Sequence, residues 1–108
     1  MDTGTGSTTM GVAATMAADR LRFAGLLERH RGIVFKVAGT YCRHPEDRAD
    51  LAQEIATQAW RAFAAYDQAR PFATWLYRIA LNVAISFVRS HALRQARFEP
   101  LDDAHDSA

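Results

Sequence analysis

Residues 45–65 read PEDRADLAQEIATQAWRAFAA, and this stretch decides the fold class. Its apolar residues recur every four positions, which is the spacing of one face of an α-helix: Leu51, Ile55, Ala59 and Phe63. Pro45 suits the first turn of a helix, and the acidic Glu46 and Asp47 stabilise its positive end. We therefore predict a helix from Pro45 to about Ala65.

Further helices are predicted on both sides of this stretch. The chain has 21 alanines, three prolines and no alternating β-branched run. Upstream, apolar residues at three- and four-residue spacing predict a helix from about Asp19 to Cys42, which Gly32 can split in two. Downstream, Tyr66–Ala73 is predicted to be a loop, with Thr74 as the N-cap of a helix that reaches Arg89 and can extend to Arg97. The predicted fold is all-α, a compact bundle of the three-helix type.

The length of 108 residues allows one domain. Residues 1–18 are predicted to be a flexible N-terminal tail, because their first part is mostly Gly, Thr and Ser. Residues 19–97 are predicted to form the helical domain. Residues 98–108 are predicted to be a disordered acidic tail or the start of an interdomain linker.

The charges are segregated along the chain. Thirteen basic residues nearly balance 12 acidic ones, which gives a net charge of +1. All the basic residues lie between Arg20 and Arg97, whereas only six of the acidic residues lie there. This segment therefore carries a marked excess of positive charge, which makes an anionic partner plausible.

Several classes of protein are disfavoured by composition. The single cysteine, Cys42, excludes an internal disulfide. A secretory signal requires basic residues followed by an unbroken apolar run. The first 18 residues contain no Lys or Arg and no such run. The most apolar stretch, Trp75–Val88, has only 14 residues and includes polar side chains, so no membrane insertion is expected. A cytoplasmic protein is expected.

Catalytic and metal-binding patterns are missing from the sequence. Its four histidines are scattered, and no HExxH, CxxC or glycine-rich phosphate loop occurs. We therefore expect no catalytic residue, no metal and no cofactor, and we expect that the protein is not an enzyme.

The predicted second helix has one polar face about 100° wide, formed by Asp50, Gln53, Glu54, Thr57 and Arg61. One interpretation is a solvated face. The other is a binding surface, because two carboxylates and an amide can accept arginine hydrogen bonds and donate one amide pair.

The predicted third helix carries a polar stripe, formed by Trp75, Arg78, Asn82, Ser86 and Arg89. Residues 70–97 contain five arginines and no acidic residue. One interpretation is a solvated arginine face with Trp75 in the core. The other is a nucleic-acid surface, where Arg contacts phosphate, Asn and Ser contact bases or phosphate, and an aromatic ring stacks on exposed bases.

Two motifs in this order resemble a known family. The stretch DLAQE at residues 50–54, followed by Trp60, resembles the second conserved region of bacterial sigma factors. The stretch FATWLYRIA at residues 72–80 resembles the promoter-recognition part of the same region. Their spacing is that of the extracytoplasmic-function (ECF) group, and the resemblance extends over about Leu21–Arg97.

The resemblance implies that Asp50, Gln53 and Glu54 contact core RNA polymerase at the clamp helices of its largest catalytic subunit. Thr57 and Arg61 share that face and join the candidate polymerase-binding set. ECF sequences usually carry bulky apolar residues after the Gln-Glu pair, whereas this chain is rich in alanine there. This departure predicts either closer helix packing or a weaker, more mobile domain.

The resemblance also implies recognition of the minus-ten promoter element as single-stranded non-template DNA, with an extruded base received by the loop before the third helix. Apolar and hydrogen-bonding side chains suit such a pocket. The candidate DNA-binding residues are Asp67, Gln68, Arg70, Phe72, Thr74, Trp75, Arg78, Asn82, Ser86 and Arg89. Leu76 stands where primary sigma factors carry a second tryptophan, so strong autonomous DNA melting is not expected.

Two rival interpretations remain at this stage. The first is a sigma-like protein-interaction module held by an anti-sigma factor, without independent DNA recognition; an anti-sigma partner is expected in either case. The second is a small helical enzyme subunit. ECF sigma factors continue into a second helical domain, so the sequence is expected to be a fragment, with a naturally short sigma-like protein as the alternative.

Overall fold

The computed structural model describes residues 3–98, which form four helices. These are α1 (Thr3–Arg29), α2 (Arg31–Tyr41), α3 (Pro45–Phe63) and α4 (Phe72–Phe98). No strand occurs within residues 3–98, and the all-α class is confirmed. Within the same range, no helix is both long and apolar enough to cross a membrane.

The first predicted helix differs from the observed α1 and α2 at its start and at its break. Helix α1 begins at Thr3, well before the predicted start near Asp19. Residues 12–18 include four alanines and a methionine, which are strong helix formers. The flexibility of residues 1–18 stays a prediction, and residues 99–108 of the predicted C-terminal tail lie outside the described part.

The break between α1 and α2 falls at His30, whereas Gly32 lies inside α2. The backbone N–H of His30 is shared between the carbonyls of Leu26 and Leu27, each 3.1 Å away. The His30 Nδ1 atom also lies 2.8 Å from the Leu26 carbonyl oxygen. These local contacts tighten the end of α1, as i to i−3 bonds often do at helix ends. The predicted split near Gly32 is confirmed, and the break itself falls two residues earlier.

The described helices divide into two units, with the boundary between Arg31 and Gly32. In the first unit, Phe23 is a buried aromatic residue. Near its end, Glu28 and Arg31 form an ion pair of 3.0 Å between two well-exposed side chains. An exposed ion pair between residues three positions apart contributes only about 0.3–0.5 kcal/mol to stability.

The junction between α2 and α3 is closed by side-chain hydrogen bonds. His44 is the extended N-cap residue of α3, and Pro45 begins the helix as predicted. From the first turn of α3, Arg48 Nε donates to the Cys42 carbonyl at 3.0 Å, and its terminal nitrogen donates to the Arg43 carbonyl at 2.8 Å. One guanidinium thus satisfies the carbonyls of the two residues that follow α2.

Helices α3 and α4 pack against each other as an antiparallel pair. At one end, the rings of Phe63 and Trp75 meet edge to face with centroids 6.2 Å apart. At the other end, His91 Nε2 lies 3.9 Å from Asp47 Oδ2. The end of α3 therefore meets the start of α4, and the start of α3 meets the end of α4. The two helices run in opposite directions, as a short connecting loop requires.

Both helices bury a row of residues at four-residue spacing. The row on α3 is Leu51, Ile55, Ala59 and Phe63, and the row on α4 is Phe72, Leu76, Ala80 and Ala84. Three alanines in these rows have no exposed surface, and small side chains let helix axes approach closely. Ala59 is the one of these three that belongs to α3, and the two consequences predicted from the alanine-rich sequence of α3 stay predictions.

Candidate functional site

A charged groove runs between the first half of α3 and the last turns of α4. It is lined by Asp47, Asp50, Gln53, Glu54, Phe87, His91, Arg94 and Gln95, and we call this set the charged groove. Its α3 wall carries three carboxylates and its α4 wall carries a guanidinium and an imidazole. The structure thus brings together three predicted polymerase-binding residues, Asp50, Gln53 and Glu54.

The other two predicted polymerase-binding residues lie outside this groove. The Thr57 hydroxyl donates to the Gln53 carbonyl at 3.0 Å, so its proton is used within α3. Arg61 is exposed nearly two helical turns beyond Glu54, on the side of the loop. Neither residue lines the charged groove, and the prediction that all five form one binding surface stays a prediction.

The charged groove contains residues that the sequence analysis did not assign to it. Phe87, His91, Arg94 and Gln95 come from α4, and Asp47 from the first turn of α3. The rings of Phe87 and His91 are stacked with centroids 6.2 Å apart and planes 5° from parallel. At about 100° of rotation per residue, these α4 positions fall close to the side of the helix that carries its buried row. Continuing this count to residue 94 from the sequence would have placed these side chains toward α3.

A second, polar groove continues along the same helix pair. It is lined by Glu54, Gln58, Asn82, Val83, Ser86, Phe87 and Ser90. Gln58 Nε2 donates to Glu54 Oε2 at 2.8 Å, which orients the carboxylate on the α3 side. Asn82 and Ser86 were predicted to bind DNA, but they line the same groove as Glu54, a predicted polymerase-binding residue. The predicted DNA stripe is therefore divided between two surfaces.

Five aromatic residues gather at the loop end of the helix pair. They are Trp60, Phe63, Tyr66, Phe72 and Trp75, and we call them the aromatic cluster. Its closest rings, Tyr66 and Trp75, have centroids 4.8 Å apart. The Phe72 ring meets Tyr66 edge-on at 5.6 Å and Trp75 at 5.2 Å. Such pairs each add about 0.5–1.5 kcal/mol beyond area burial, so the cluster anchors the loop.

The loop of residues 64–71 is shaped by hydrogen bonds of its own. The Tyr66 hydroxyl donates to the Arg70 carbonyl. Asp67 Oδ1 accepts the Ala69 N–H at 3.0 Å, and the Asp67 carbonyl accepts the Arg70 N–H at 2.9 Å. Arg70 Nε also lies 3.9 Å from Asp67 Oδ2, although both side chains are largely exposed and the ion pair is weak. The backbone of the loop is thus held before any ligand arrives.

A slot opens beside this loop, lined by Arg70, Pro71, Thr74, Trp75 and Arg78. We call this set the arginine slot; its volume is about 320 Å³. Two guanidiniums flank the half-buried indole of Trp75. Guanidiniums bind phosphate, and an indole face offers a stacking platform for a base. The arrangement is suited to a single nucleic-acid strand.

Two predictions at the start of α4 require correction. Phe72 is only 6% exposed and belongs to the core, so it supports the loop from beneath and offers no surface for direct DNA contact. The helix begins at Phe72, so Thr74 lies in its first turn and is not the N-cap residue. The exposed Thr74 side chain instead lines the arginine slot.

Of the remaining DNA-binding candidates, Asp67, Gln68 and Arg89 are exposed but line neither groove nor the slot. Asp67 acts locally, since its carboxylate shapes the loop. Arg89 lies on α4 about 20° in rotation from Arg78, so it continues the same outer face of the helix.

Cys42 is a buried thiol at the junction of α2 and α3. Burial raises the pKa of the thiol above its ordinary value of 9.0, the nearby Asp47 carboxylate raises it further, and Arg48 acts in the opposite sense. A raised pKa keeps the thiol neutral near pH 7 and weakens it as a nucleophile. Over the described range, no group of three or more candidate metal ligands occurs.

Most of this chain is similar to known proteins. A family model described as Sigma-70 region 2 matches residues 26–94. The sigma factor CnrH of Cupriavidus metallidurans is 34% identical over 88 residues, which cover 81% of this chain and 46% of the relative. The ECF sigma factor SigW of Bacillus subtilis is 30% identical over 71 residues, covering 66% and 38%.

A third relative, the ECF sigma factor SigM of Mycobacterium tuberculosis, is 28% identical over 95 residues, covering 88% of this chain and 46% of the relative. The chain thus spans less than half the length of these curated relatives. No solved structure gives a significant match. The family model covers the charged groove up to Arg94 and all of the arginine slot. The chain therefore belongs to the sigma-70 region 2 family, as a region 2 domain of the ECF sigma factor type.

Proposed function

We propose that this domain binds core RNA polymerase and recognises the minus-ten promoter element as single-stranded non-template DNA. The observation that carries the proposal is the separation of two surfaces on one helix pair. The charged groove lies where α3 begins and α4 ends, and the arginine slot lies beside the loop that joins them. A domain built in this way can hold a protein and a nucleic-acid strand at the same time.

The polymerase contact is assigned to the α3 wall of the charged groove. Asp50 and Glu54 are exposed carboxylates and Gln53 is an exposed amide on the same face. Carboxylates accept the paired hydrogen bonds of arginine, and an amide both donates and accepts. These groups suit basic side chains on the clamp helices of the largest catalytic subunit. Thr57 and Arg61 take a peripheral place in this proposal.

The DNA contact is assigned to the arginine slot and the loop before it. Arg70 and Arg78 supply phosphate contacts, and Trp75 supplies a stacking surface beside them. The hydrogen bonds of Tyr66 and Asp67 hold the loop in one shape, so little ordering is needed when a strand binds. A base extruded from the strand would lie in or next to this slot.

The names of the relatives support the choice of partners. CnrH is called an RNA polymerase sigma factor, and SigW and SigM are called ECF RNA polymerase sigma factors. Within this proposal the domain has no catalytic activity of its own, and polymerase carries out the chemistry. Its place of action is the cytoplasm, where bacterial polymerase and promoters meet.

The proposal is tested by separating the two surfaces with substitutions. The full 108-residue chain is titrated against core polymerase, and the complex is then titrated with a labelled non-template strand of a candidate minus-ten element. Asp50→Ala is expected to weaken the first step, and Arg70→Ala the second with the first unchanged. Loss of both steps in both variants, with the helical content intact, would contradict two separate surfaces.

A second candidate is a sigma-like interaction module held by an anti-sigma factor, without independent DNA recognition. It is favoured by exposed apolar side chains on one face of α4, since such patches often mark protein contacts. These are Tyr77 and Ile85, each 45% exposed, and Val88, 38% exposed. In the titration above, strong polymerase binding with no strand affinity would support this candidate.

A further inference from the structure

The two walls of the charged groove carry opposite charges, and within residues 3–98 the one contact between charged groups of the two walls joins Asp47 to the His91 imidazole. The α3 wall has Asp47, Asp50 and Glu54, and the α4 wall has Arg94. Among the described residues, no carboxylate oxygen lies within 4.0 Å of the Arg94 guanidinium. Asp50 likewise forms no ion pair within residues 3–98. The groove therefore offers a free anion and a free cation to whatever lies in it.

Arg94 stands apart from the other arginines of α4. At about 100° of rotation per residue, it lies about 160° from Arg78, whereas Arg89 lies only about 20° from Arg78. Arg94 therefore faces α3 with the buried row, while Arg78 and Arg89 face outward. The presence of Arg94 in the charged groove, together with Phe87 and His91, agrees with this rotation. Its charge belongs to the protein-binding side of the domain.

We propose that Arg94 is a specificity-determining residue of the polymerase-binding groove and pairs with an acidic side chain of the partner helix. This inference rests on the proposed function. A partner that carried only basic side chains would be attracted by Asp50 and Glu54 and repelled by Arg94. A partner helix with basic residues toward α3 and an acidic residue toward α4 satisfies both walls, and only one orientation of that helix does so.

The apolar floor of the groove strengthens this selection. Phe87 is half-buried between the walls, and its ring stacks on His91. A helix lying over this floor removes water from Asp50 and Arg94. The attraction between each of these charges and its opposite charge on the partner then becomes stronger, because the local dielectric constant falls. An unmatched charge in the covered groove is penalised for the same reason.

The test compares charge variants of the full chain in their affinity for core polymerase. Arg94→Gln removes the charge and keeps a polar side chain. We expect it to weaken binding at least about tenfold, which corresponds to about 1.4 kcal/mol. Arg94→Glu is expected to weaken it further, because the new carboxylate would repel the acidic residue of the partner. Lys36→Gln, on the exposed face of α2, is the matched control and is expected to leave the affinity unchanged.

The sign of the effect decides the outcome. If Arg94 only opposes a basic partner, its removal tightens binding, and tighter or unchanged binding by Arg94→Gln overturns the inference. Because Arg94 is exposed, neither substitution is expected to alter the fold, which circular dichroism and the thermal midpoint verify.

Parallel variants distinguish failure of this inference from failure of the proposed function. Asp50→Asn and Glu54→Gln each remove one negative charge from the α3 wall. If these two weaken polymerase binding and Arg94→Gln does not, only the role of Arg94 is overturned. If none of the three changes the affinity, the groove is not the polymerase interface, and the proposed function fails with the inference.

Discussion

The Nε2 atom of His91, close to the end of α4, lies 3.9 Å from Oδ2 of Asp47 in the first turn of α3. Both side chains are partly exposed, so the contact itself contributes little stability. The contact matters because it joins the two ends of the helices that form the charged groove. It marks the register in which the last turns of α4 lie beside the acidic face of α3, and the charged groove results from that register.

Substitution of the α3 wall is expected to weaken polymerase binding. Glu54→Ala removes a carboxylate and Gln53→Ala removes an amide. Truncating a charged interface residue costs about 2–5 kcal/mol when its partner stays buried, and the amide is expected to cost less. Equilibrium titration of core polymerase measures the loss. Glu28→Ala, which removes an exposed carboxylate from α1, is the control. Unchanged affinity in Glu54→Ala would argue against this interface.

Enlarging an alanine at the seam of α3 and α4 is expected to destabilise the domain. Ala80 has no exposed surface, so Ala80→Leu forces three extra carbon atoms into a filled space. Overpacking of this kind costs about 1–3 kcal/mol. Ala49→Leu is the control, because Ala49 is exposed on α3 and Leu is nearly as good a helix former. Chemical denaturation measures both variants. Equal stability of the two would contradict a tightly packed seam.

Removal of the Tyr66 hydroxyl is expected to loosen the loop of residues 64–71. Tyr66→Phe keeps the ring in the aromatic cluster and removes the hydrogen bond to the Arg70 carbonyl. The expected loss of stability is about 0.5–1.5 kcal/mol, with weaker binding of single-stranded DNA. Tyr77→Phe is the control, since Tyr77 is an exposed tyrosine of α4. A loop whose hydrogen exchange is unchanged in Tyr66→Phe would refute the positioning role of the hydroxyl.

Arg78→Ala is expected to weaken DNA binding to a similar degree on every sequence. An arginine that contacts phosphate carries no base information, and its loss removes one released counterion. The slope of log affinity against log salt concentration should become shallower by about 0.7 for single-stranded DNA. Titrations of labelled strands at several salt concentrations measure it. A loss confined to one promoter sequence would show instead that Arg78 contacts a base.

The stability of the domain is expected to fall at alkaline pH through Cys42. Burial raises the pKa of this thiol, so the folded chain holds its proton at a pH where the unfolded chain releases it. The stabilisation is therefore complete below the ordinary pKa of the thiol and is lost as the pH rises through the raised value. Thermal unfolding between about pH 8 and pH 10 measures the loss. The variant Cys42→Ala should lose less stability over this range, and parallel curves for the two proteins would contradict the effect.

The sequence predicts the local features of this domain well. Pro45 and the four-residue spacing of Leu51 and Ile55 define α3, and its start is confirmed at the predicted residue. Two helix boundaries, the end of α1 and the start of α4, differ from the predicted positions for local reasons. His30 ends α1 through side-chain and backbone bonds to the preceding turn, and the helical pattern of α4 continues upstream of Thr74.

The composite character of the candidate site was beyond sequence analysis. Helical rotation places Arg94 on the side of α4 that faces α3, but its neighbours along the chain do not indicate that it shares a groove with Asp50. Their meeting depends on the length of the loop and on the register of α3 and α4, which are tertiary properties. The division of the polar stripe of α4, with Asn82 on the polar groove and Arg78 on the arginine slot, has the same origin.

The most direct test of the central claim is the strand preference of the complex of this chain with core polymerase. Labelled single strands that carry the non-template and the template sequence of a minus-ten element are titrated under the same salt conditions. We expect tighter binding of the non-template strand, by at least about tenfold, and loss of that preference with core polymerase alone. Equal affinity for the two strands in the presence of this chain would contradict the claim.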